Sequence, residues 1–270
     1  MHRIKKKILD KTTTAFCLQI AVVSGYNEKK RFFIVPAKNA VAGMEKCVFS
    51  FFPKKEDSFM VEIKNLPIMH GKVPLRVAQG HFATNHSHIN YYIDITYQKT
   101  RLSEAKETAR QLVASFINNT PVDTILCLDG TAVLGTCLAE ELTKSGFMTI
   151  NQHKTIYVLE PEYNANSQMI FRDNIQPMIR NKHVLVLMAS VTTGFTAKRS
   201  IEAIGYYGGE VAGIAAIYRA VDEVGGHPVR SVYDISDIPD YESYDYRECP
   251  YCKKGRKLDA LVNSFGYSPL

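Results

Sequence analysis

Residues 184–196 read Val-Leu-Val-Leu-Met-Ala-Ser-Val-Thr-Thr-Gly-Phe-Thr. Val184 to Met188 is an unbroken apolar run, the pattern of a strand buried on both faces. Thr192, Thr193, Gly194 and Thr196 follow as a tight polar turn, and Ala197, Ile201 and Ile204 then recur at helical spacing. A strand, a Gly/Thr turn and a helix start together make a cradle for a phosphate. Backbone N–H groups and hydroxyls point at the anion, and the helix dipole favours negative charge there. The same pattern also serves as a plain strand-to-helix turn that binds nothing, so the flanking sequence has to decide.

Working outward, apolar runs predict strands over 91–95, 124–128, 155–159, 184–188 and 211–218. Helical spacing predicts helices over 103–117, 132–145 and 197–207, with Ser103 as an N-cap and Gly146 and Gly208-Gly209 as C-terminal stops. Strands alternating with helices imply an α/β fold with a parallel sheet covered by helices on both faces. Ligands on such sheets sit beyond the carboxyl ends of the strands. Asp129-Gly130-Thr131 and Thr192-Thr193-Gly194 both fall there.

Residues 1–75 read differently. Short β-rich runs at 16–23, 31–35, 47–52 and 58–63 are separated by turn signals at 24–27, 42–43 and 53–57. They predict a small β-rich N-terminal segment that packs on the main domain or covers a substrate site. The expected division is therefore 1–75, a main domain over 76–245, and a short tail over 246–270.

Composition sets the class. With 270 residues, 46% hydrophobic and 22% charged, the chain has the make-up of a globular protein. No apolar run approaches the roughly 18 residues that span a bilayer, which argues against a membrane protein. The start, Met1-His-Arg-Ile-Lys-Lys-Lys, lacks the apolar core of a signal peptide, so a cytoplasmic protein is expected. A net charge of +6 suits phosphate ligands, and also a weak nucleic-acid binder. The basic residues are scattered and residues 1–75 carry no recognition-helix pattern, so nucleic acid is the weakest of the partner classes.

The run at 184–196 resembles the signature of type I phosphoribosyltransferases: four apolar residues, two acids, two apolar residues, then Thr-Thr-Gly-Gly-Thr/Ser. It aligns without a gap, but Met188 and Ala189 replace the acids and Phe195 replaces the second loop glycine. In that family the carboxylates hold the ribose hydroxyls of phosphoribosyl pyrophosphate and the loop holds its 5′-phosphate. The resemblance thus keeps the phosphate half of the motif and lacks the ribose half. Other segments are similar to the orotate branch. Gly80-His81-Phe82 through Tyr92-Ile93-Asp94 resembles its opening, with Asn85 and His86 where Ser-Gly is usual. Residues 214–226 resemble its strand ending in Asp-Arg, with Arg219 kept and Tyr218 in place of the Asp. Residues 121–142 stand where it has a strand, a pyrophosphate loop and a helix.

The resemblance implies a phosphoribosyltransferase-like fold and transfer of phosphoribosyl from phosphoribosyl pyrophosphate to orotate or another acceptor, in a homodimer. The alternative is a non-catalytic sensor of phosphoribosyl pyrophosphate or a nucleoside monophosphate. It implies binding of the phosphorylated ligand by Thr192, Thr193, Gly194, Phe195 and Thr196 and by Asp129, Gly130 and Thr131. It implies acceptor contacts from Phe82, His86 and Arg219, and chemistry at Asp129 and Arg172.

The reaction separates positive charge on the ribose ring from negative charge on pyrophosphate, so it calls for Mg²⁺ and cations. Asp129 could hold Mg²⁺ through water; equally, it reads as a turn-forming Asp before Gly130. The stretch matching the mobile loop, 160–172, begins with Glu160 and Glu162 and has only Arg172 as a cation. The two glutamates could instead take over metal or ribose binding from Met188 and Ala189.

Two clusters stand outside that scheme. His81, His86 and His88 read first as hydrogen-bonding groups in a hood over the base, and second as metal ligands. Cys249-Pro-Tyr-Cys252 looks like half of a zinc knuckle, but no second Cys-x-x-Cys exists. The pair reads first as two reduced thiols in a turn, and second as a zinc site completed by His227 or across a dimer. Cys17, Cys47, Cys127 and Cys137 lie in apolar runs as small hydrophobes.

Overall fold

A computed structural model describes residues 20–21, 33–34, 61–66, 73–144, 150–152 and 155–270. The chain forms two compact units, residues 1–54 and 55–270. In the first, β1 (Ile20–Ala21) pairs antiparallel with β2 (Phe33–Ile34). The rest of the runs expected at 16–23 and 31–35, the whole run at 47–52, and Cys17 and Cys47 lie outside the described residues. So does Gly146.

The second unit begins with β3 (Lys64–Asn65), β4 (Arg76–Ala83) and β5 (His88–Asp94), then α1 (Thr96–Thr100) and α2 (Leu102–Val113). It continues through β6 (Thr124–Cys127), α3 (Ala132–Thr143), β7 (Tyr157–Leu159), β8 (Glu162–Tyr163), β9 (Met169–Ile170), β10 (His183–Val191), α4 (Phe195–Tyr206) and β11 (Glu210–Arg219). It closes with β12 (Glu223–Val224), β13 (His227–Asp234), β14 (Ser243–Tyr244), α5 (Pro250–Lys253), β15 (Ala260–Asn263) and β16 (Gly266–Pro269).

The main sheet has the order β12-β13-β11-β10-β6-β7. The pairs β11·β13, β10·β11, β10·β6 and β6·β7 are all parallel, and the short edge strand β12 is antiparallel. The alternation along β10 explains why it sits at the centre. Leu185, Leu187 and Ala189 join one apolar cluster with Leu112 of α2 and Leu134 and Leu138 of α3. Val184, Val186 and Met188 join the other, with Ala197 and Ile204 of α4. Each of the Val, Leu, Ile and Met side chains contributes about 1.5–3 kcal/mol by burial, and both sets are needed because helices cover both faces. The fold is therefore α/β with a parallel sheet and helices on either side. No helix of the described residues is long and apolar enough to cross a membrane.

A second sheet, β14-β5-β4-β15-β16 with β3 on the edge of β4, carries the opening and closing segments of this unit. β15 runs parallel to β4, with Ala260 opposite Phe82 and Leu261 opposite Ala83.

Three local expectations are corrected. Ser103 is not an N-cap: Arg101 holds that place in extended conformation (φ −92°, ψ 121°), and the Ser103 hydroxyl donates to Glu104 instead. The preceding helix α1 ends at Thr100, which moves the start forward. α2 stops at Val113, not 117, because the chain tightens there to bury Phe116; the Ser115 and Phe116 N–H groups donate to Leu112 and Val113. α4 begins at Phe195, two residues earlier than its apolar spacing predicts, since Gly194 turns the chain at φ 74°.

Candidate active site

The connections around β6 and β10 diverge. From β6 the chain passes through α3 on one face to β7, on one side of the sheet. From β10 it passes through α4 on the other face to β11, on the opposite side. The carboxyl ends of β6 and β10 therefore flank a topological switch point, where an open α/β sheet leaves a crevice for ligands. A cavity of about 290 Å³ opens there, lined by Asp129 after β6 and by Met188, Ser190, Thr192, Thr193, Phe195 and Thr196 after β10. This is near the lower end of the roughly 300–1,000 Å³ usual for small-ligand sites.

The Thr/Gly turn has the geometry an anion needs. Gly194 takes the left-handed conformation, and a Cβ there would meet Val224 Cγ2 at 2.7 Å. Only glycine lets the backbone fold so tightly onto β12. No side chain caps α4, so the donors of its first turn remain turned outward. Thr193 and Thr196 are exposed beside them and Thr192 is half-buried.

Asp129 faces this turn from across the crevice. It too is left-handed (φ 58°), and Gly130 after it has φ 72°. Burial raises the Asp129 carboxyl above the ordinary range; hydrogen bonds from the Ser264 side chain and the Ala189 backbone, and the Lys99 charge, pull it part of the way back. Lys99 is buried, and its ammonium donates to the Asp129 carbonyl at 2.9 Å and to the Ser264 carbonyl. Burial holds Lys99 below its usual pKa, against Asp129 and Asp94. A cation thus sits under the turn expected to hold pyrophosphate. Sequence reading missed it because Lys99 lies in a short helix 30 residues upstream, with no motif around it.

The remaining candidates separate into those at the cavity and those away from it. His86 lines it, with its ring centroid 5.4 Å from that of Phe195. Phe195 is 52% exposed, so the side chain standing where the motif has a glycine projects out of the turn, beside His86, rather than filling it. Thr131 is buried, and its hydroxyl donates to the Leu128 and Leu187 carbonyls, which joins β6 to β10. Phe82 is core, against Tyr92. Arg219 donates to the Val229 carbonyl and pairs with Asp222 at 2.8 Å and Asp234 at 3.5 Å. Arg172 forms a two-pronged pair with Glu162, one prong at 2.8 Å, which ties the end of β9 back to β8. Glu160 is exposed. Met188 and Ala189 divide between faces: Met188 lines the cavity and Ala189 is buried on the other side. Tyr218, in place of the motif's Asp, is fully buried against Tyr241.

Two cavity-lining residues come from a segment that carried no functional signal. Asn263 and Ser264, at the turn after β15, form one wall. The Asn263 side chain accepts from the Phe265 and Gly266 N–H groups and holds that turn.

Solved structures similar to this chain include phosphoribosyltransferases. Leishmania donovani UMP synthase is 17% identical over 67% of this chain and 36% of its own, with a TM-score of 0.45, so the chain spans about a third of that protein. Orotate phosphoribosyltransferase of Mycobacterium tuberculosis H37Rv, in complex with phosphoribosyl pyrophosphate, is 18% identical over 54% of this chain and 82% of its own, with a TM-score of 0.40. Adenine phosphoribosyltransferase of Thermoanaerobacter pseudethanolicus is 15% identical over 54% and 88%, with a TM-score of 0.41. No protein-family profile and no curated protein matches the chain. At these identities the fold rests on the chain's own topology, and no residue role crosses over.

Two of the three histidines, His81 and His88, lie with the cysteines rather than with His86. His81 and His88 do not line the cavity; they point at each other and at Cys249 and Cys252. His227, considered as a partner of the cysteines, pairs with Val224 at the start of β13 and is not in that group.

Proposed function

We propose that this chain binds a phosphorylated ribose at the β6/β10 switch point and acts as a phosphoribosyltransferase-like protein, with phosphoribosyl pyrophosphate as donor and a nucleobase or related acceptor. The observation that carries the reading is the uncapped start of α4, with Thr192, Thr193 and Gly194 facing a cavity whose opposite wall holds Asp129 over Lys99. A 5′-phosphate placed on the turn leaves the sugar over Met188 and the base toward His86 and Phe195. Mg²⁺ fits this site: it is usually held by one or two carboxylates together with substrate phosphates, and Asp129 is the one carboxylate among the cavity-lining residues. When bound, it would neutralise charge on the pyrophosphate. Lys99 holds the Asp129 turn and adds positive charge beneath it, and the α4 amides orient the phosphate.

One observation favours the sensor as second reading. Met188 puts a thioether, not a carboxylate, under the ribose, and Arg172 is already held by Glu162. Calorimetry with phosphoribosyl pyrophosphate, a nucleoside monophosphate and inorganic phosphate, each with and without Mg²⁺, tests the reading. Saturable binding of a phosphorylated ribose is expected; heats indistinguishable from dilution for all three would overturn it. The family resemblance also implies a homodimer, so light scattering should give twice the 30.4 kDa chain mass; the mass of a single chain would refute this.

A further inference from the structure

We infer that His81, His88, Cys249 and Cys252 form a structural zinc site, independent of the cavity and of any reading of its ligand. Their four ligand atoms lie within 4.8 Å of one another. His81 Nε2 is 3.2 Å from His88 Nδ1, 3.4 Å from Cys249 Sγ and 3.6 Å from Cys252 Sγ, and Cys252 Sγ is 3.3 Å from His88 Nδ1. A tetrahedron with Zn–N about 2.05 Å and Zn–S about 2.3 Å separates its ligand atoms by about 3.3 Å for N···N and about 3.6 Å for N···S. The four spacings above lie within about 0.3 Å of those values. Two sulfurs and two imidazoles around one point suit a single tetrahedral zinc ion.

The surroundings prepare these atoms as ligands. His81 Nδ1 lies 3.1 Å from the Arg256 carbonyl and 3.2 Å from the Lys257 carbonyl. Both are acceptors, so Nδ1 carries the proton and Nε2 turns a lone pair to the sulfurs, the outer-shell arrangement of metal-bound histidine. A bulge aims the ring. Between the pairs Gln79↔Tyr91 and Phe82↔Ile89, β4 holds one residue more than β5. Gly80 permits it, since a Cβ there would meet Phe82 Cζ at 2.6 Å and Asp259 Oδ2 at 2.8 Å. On the other side, Cys249 precedes α5 and Gly255 turns the chain at φ 71°, so the four-residue spacing folds as a knuckle. His81 and Cys249 are fully buried. Zinc displaces one proton from each thiol, leaving Zn²⁺, two thiolates and two neutral imidazoles. That centre carries no net charge, which suits a site whose His81 and Cys249 are fully buried.

The consequence is mechanical. The site fastens residues 249–252 to the β4–β5 hairpin, just upstream of β15, whose turn brings Asn263 and Ser264 to the cavity wall. Metal analysis of the purified full-length chain should find one zinc per chain. Cys252→Ser and His88→Ala should abolish it, and Cys137→Ser should leave it in place. The wild-type protein loaded with cobalt should show the visible bands of a tetrahedral site and thiolate-to-cobalt charge transfer, a readout that needs no variant to fold. Absence of zinc and cobalt binding with both thiols reactive in the native chain would overturn the assignment. So would a Cys249–Cys252 disulfide in protein isolated under alkylating conditions, or zinc retained in full by both ligand variants.

Discussion

Two glycines with similar backbones separate strain from crowding. Gly194 and Gly226 have φ of 74° and 82°, but a Cβ meets Val224 at 2.7 Å at the first and nothing within 4 Å at the second. Left-handed backbone costs a side chain about 1–2 kcal/mol, and overpacking adds about 1–3 kcal/mol. Gly226→Ala should therefore lose only the first amount in urea unfolding, and Gly194→Ala both. Equal losses would show that Val224 moves aside freely. Asp129 makes a pH prediction. Burial raises its carboxyl in the native state, so the native chain binds that proton more tightly than the unfolded chain. The stability this gives is present in full below the unfolded pKa, about 3.9, and is lost as pH rises through the native value. Above that value Asp129 is thus ionised at a cost. Asn accepts the same left-handed φ of 58°, so Asp129→Asn should melt at or above wild type at pH 7, with the difference shrinking toward acid. A lower melting point at pH 7 would contradict the account. Residue by residue, Thr192 to Gly194 were legible because their chemistry is local. Lys99 and Ser264 were not, because each acts on Asp129 only after distant segments pack together.

At the scale of elements, periodicity exposed β6, β10, β11 and all three long helices, because each buries a face and must repeat at its own period. β13 escaped notice: Pro228 and Arg230 interrupt its pattern, and only Val229 and Tyr233 are buried. β15 escaped too, since four residues with alternate burial carry little signal. The histidine–cysteine cluster was half legible. Cys249 and Cys252 announce themselves by spacing, but His81 is 168 residues away and reaches them through a bulge. The turn before α4 is the element with the clearest functional test. Hydrogen bonds to a charged group contribute about 1.5–3 kcal/mol, so Thr193→Ala should weaken binding of a nucleoside monophosphate about tenfold or more. Thr193 is exposed, so folding should be unaffected. Unchanged affinity by calorimetry would remove the turn from the site.

At the scale of the whole molecule, the proposed phosphoribosyl site holds more groups suited to binding than to reaction. Turnover needs groups that stabilise the separated charges of the transition state more than the bound substrate. The phosphate turn and the Lys99–Asp129 pairing meet the needs of binding. The reacting end is thinner: Met188 lines the cavity where the motif has a carboxylate, Ala189 faces the core, and Arg172 is paired with Glu162 away from the cavity lining. Removing one charge-stabilising donor typically lowers a rate by about 10²–10³, and several such losses compound, although not additively. Orotate consumption with phosphoribosyl pyrophosphate and Mg²⁺ should therefore run far below the roughly 10 s⁻¹ of an ordinary enzyme, while phosphoribosyl pyrophosphate still binds. Glu162 is held by Arg172, so any use of its carboxylate at the site would also release that cation. Turnover of several per second would show that other residues, Asp129 or Glu160 and Glu162 first among them, have replaced the missing acids. Glu162→Gln would then separate two roles for that residue: the rate should fall if its carboxylate is needed, and rise if freeing Arg172 is what limits turnover.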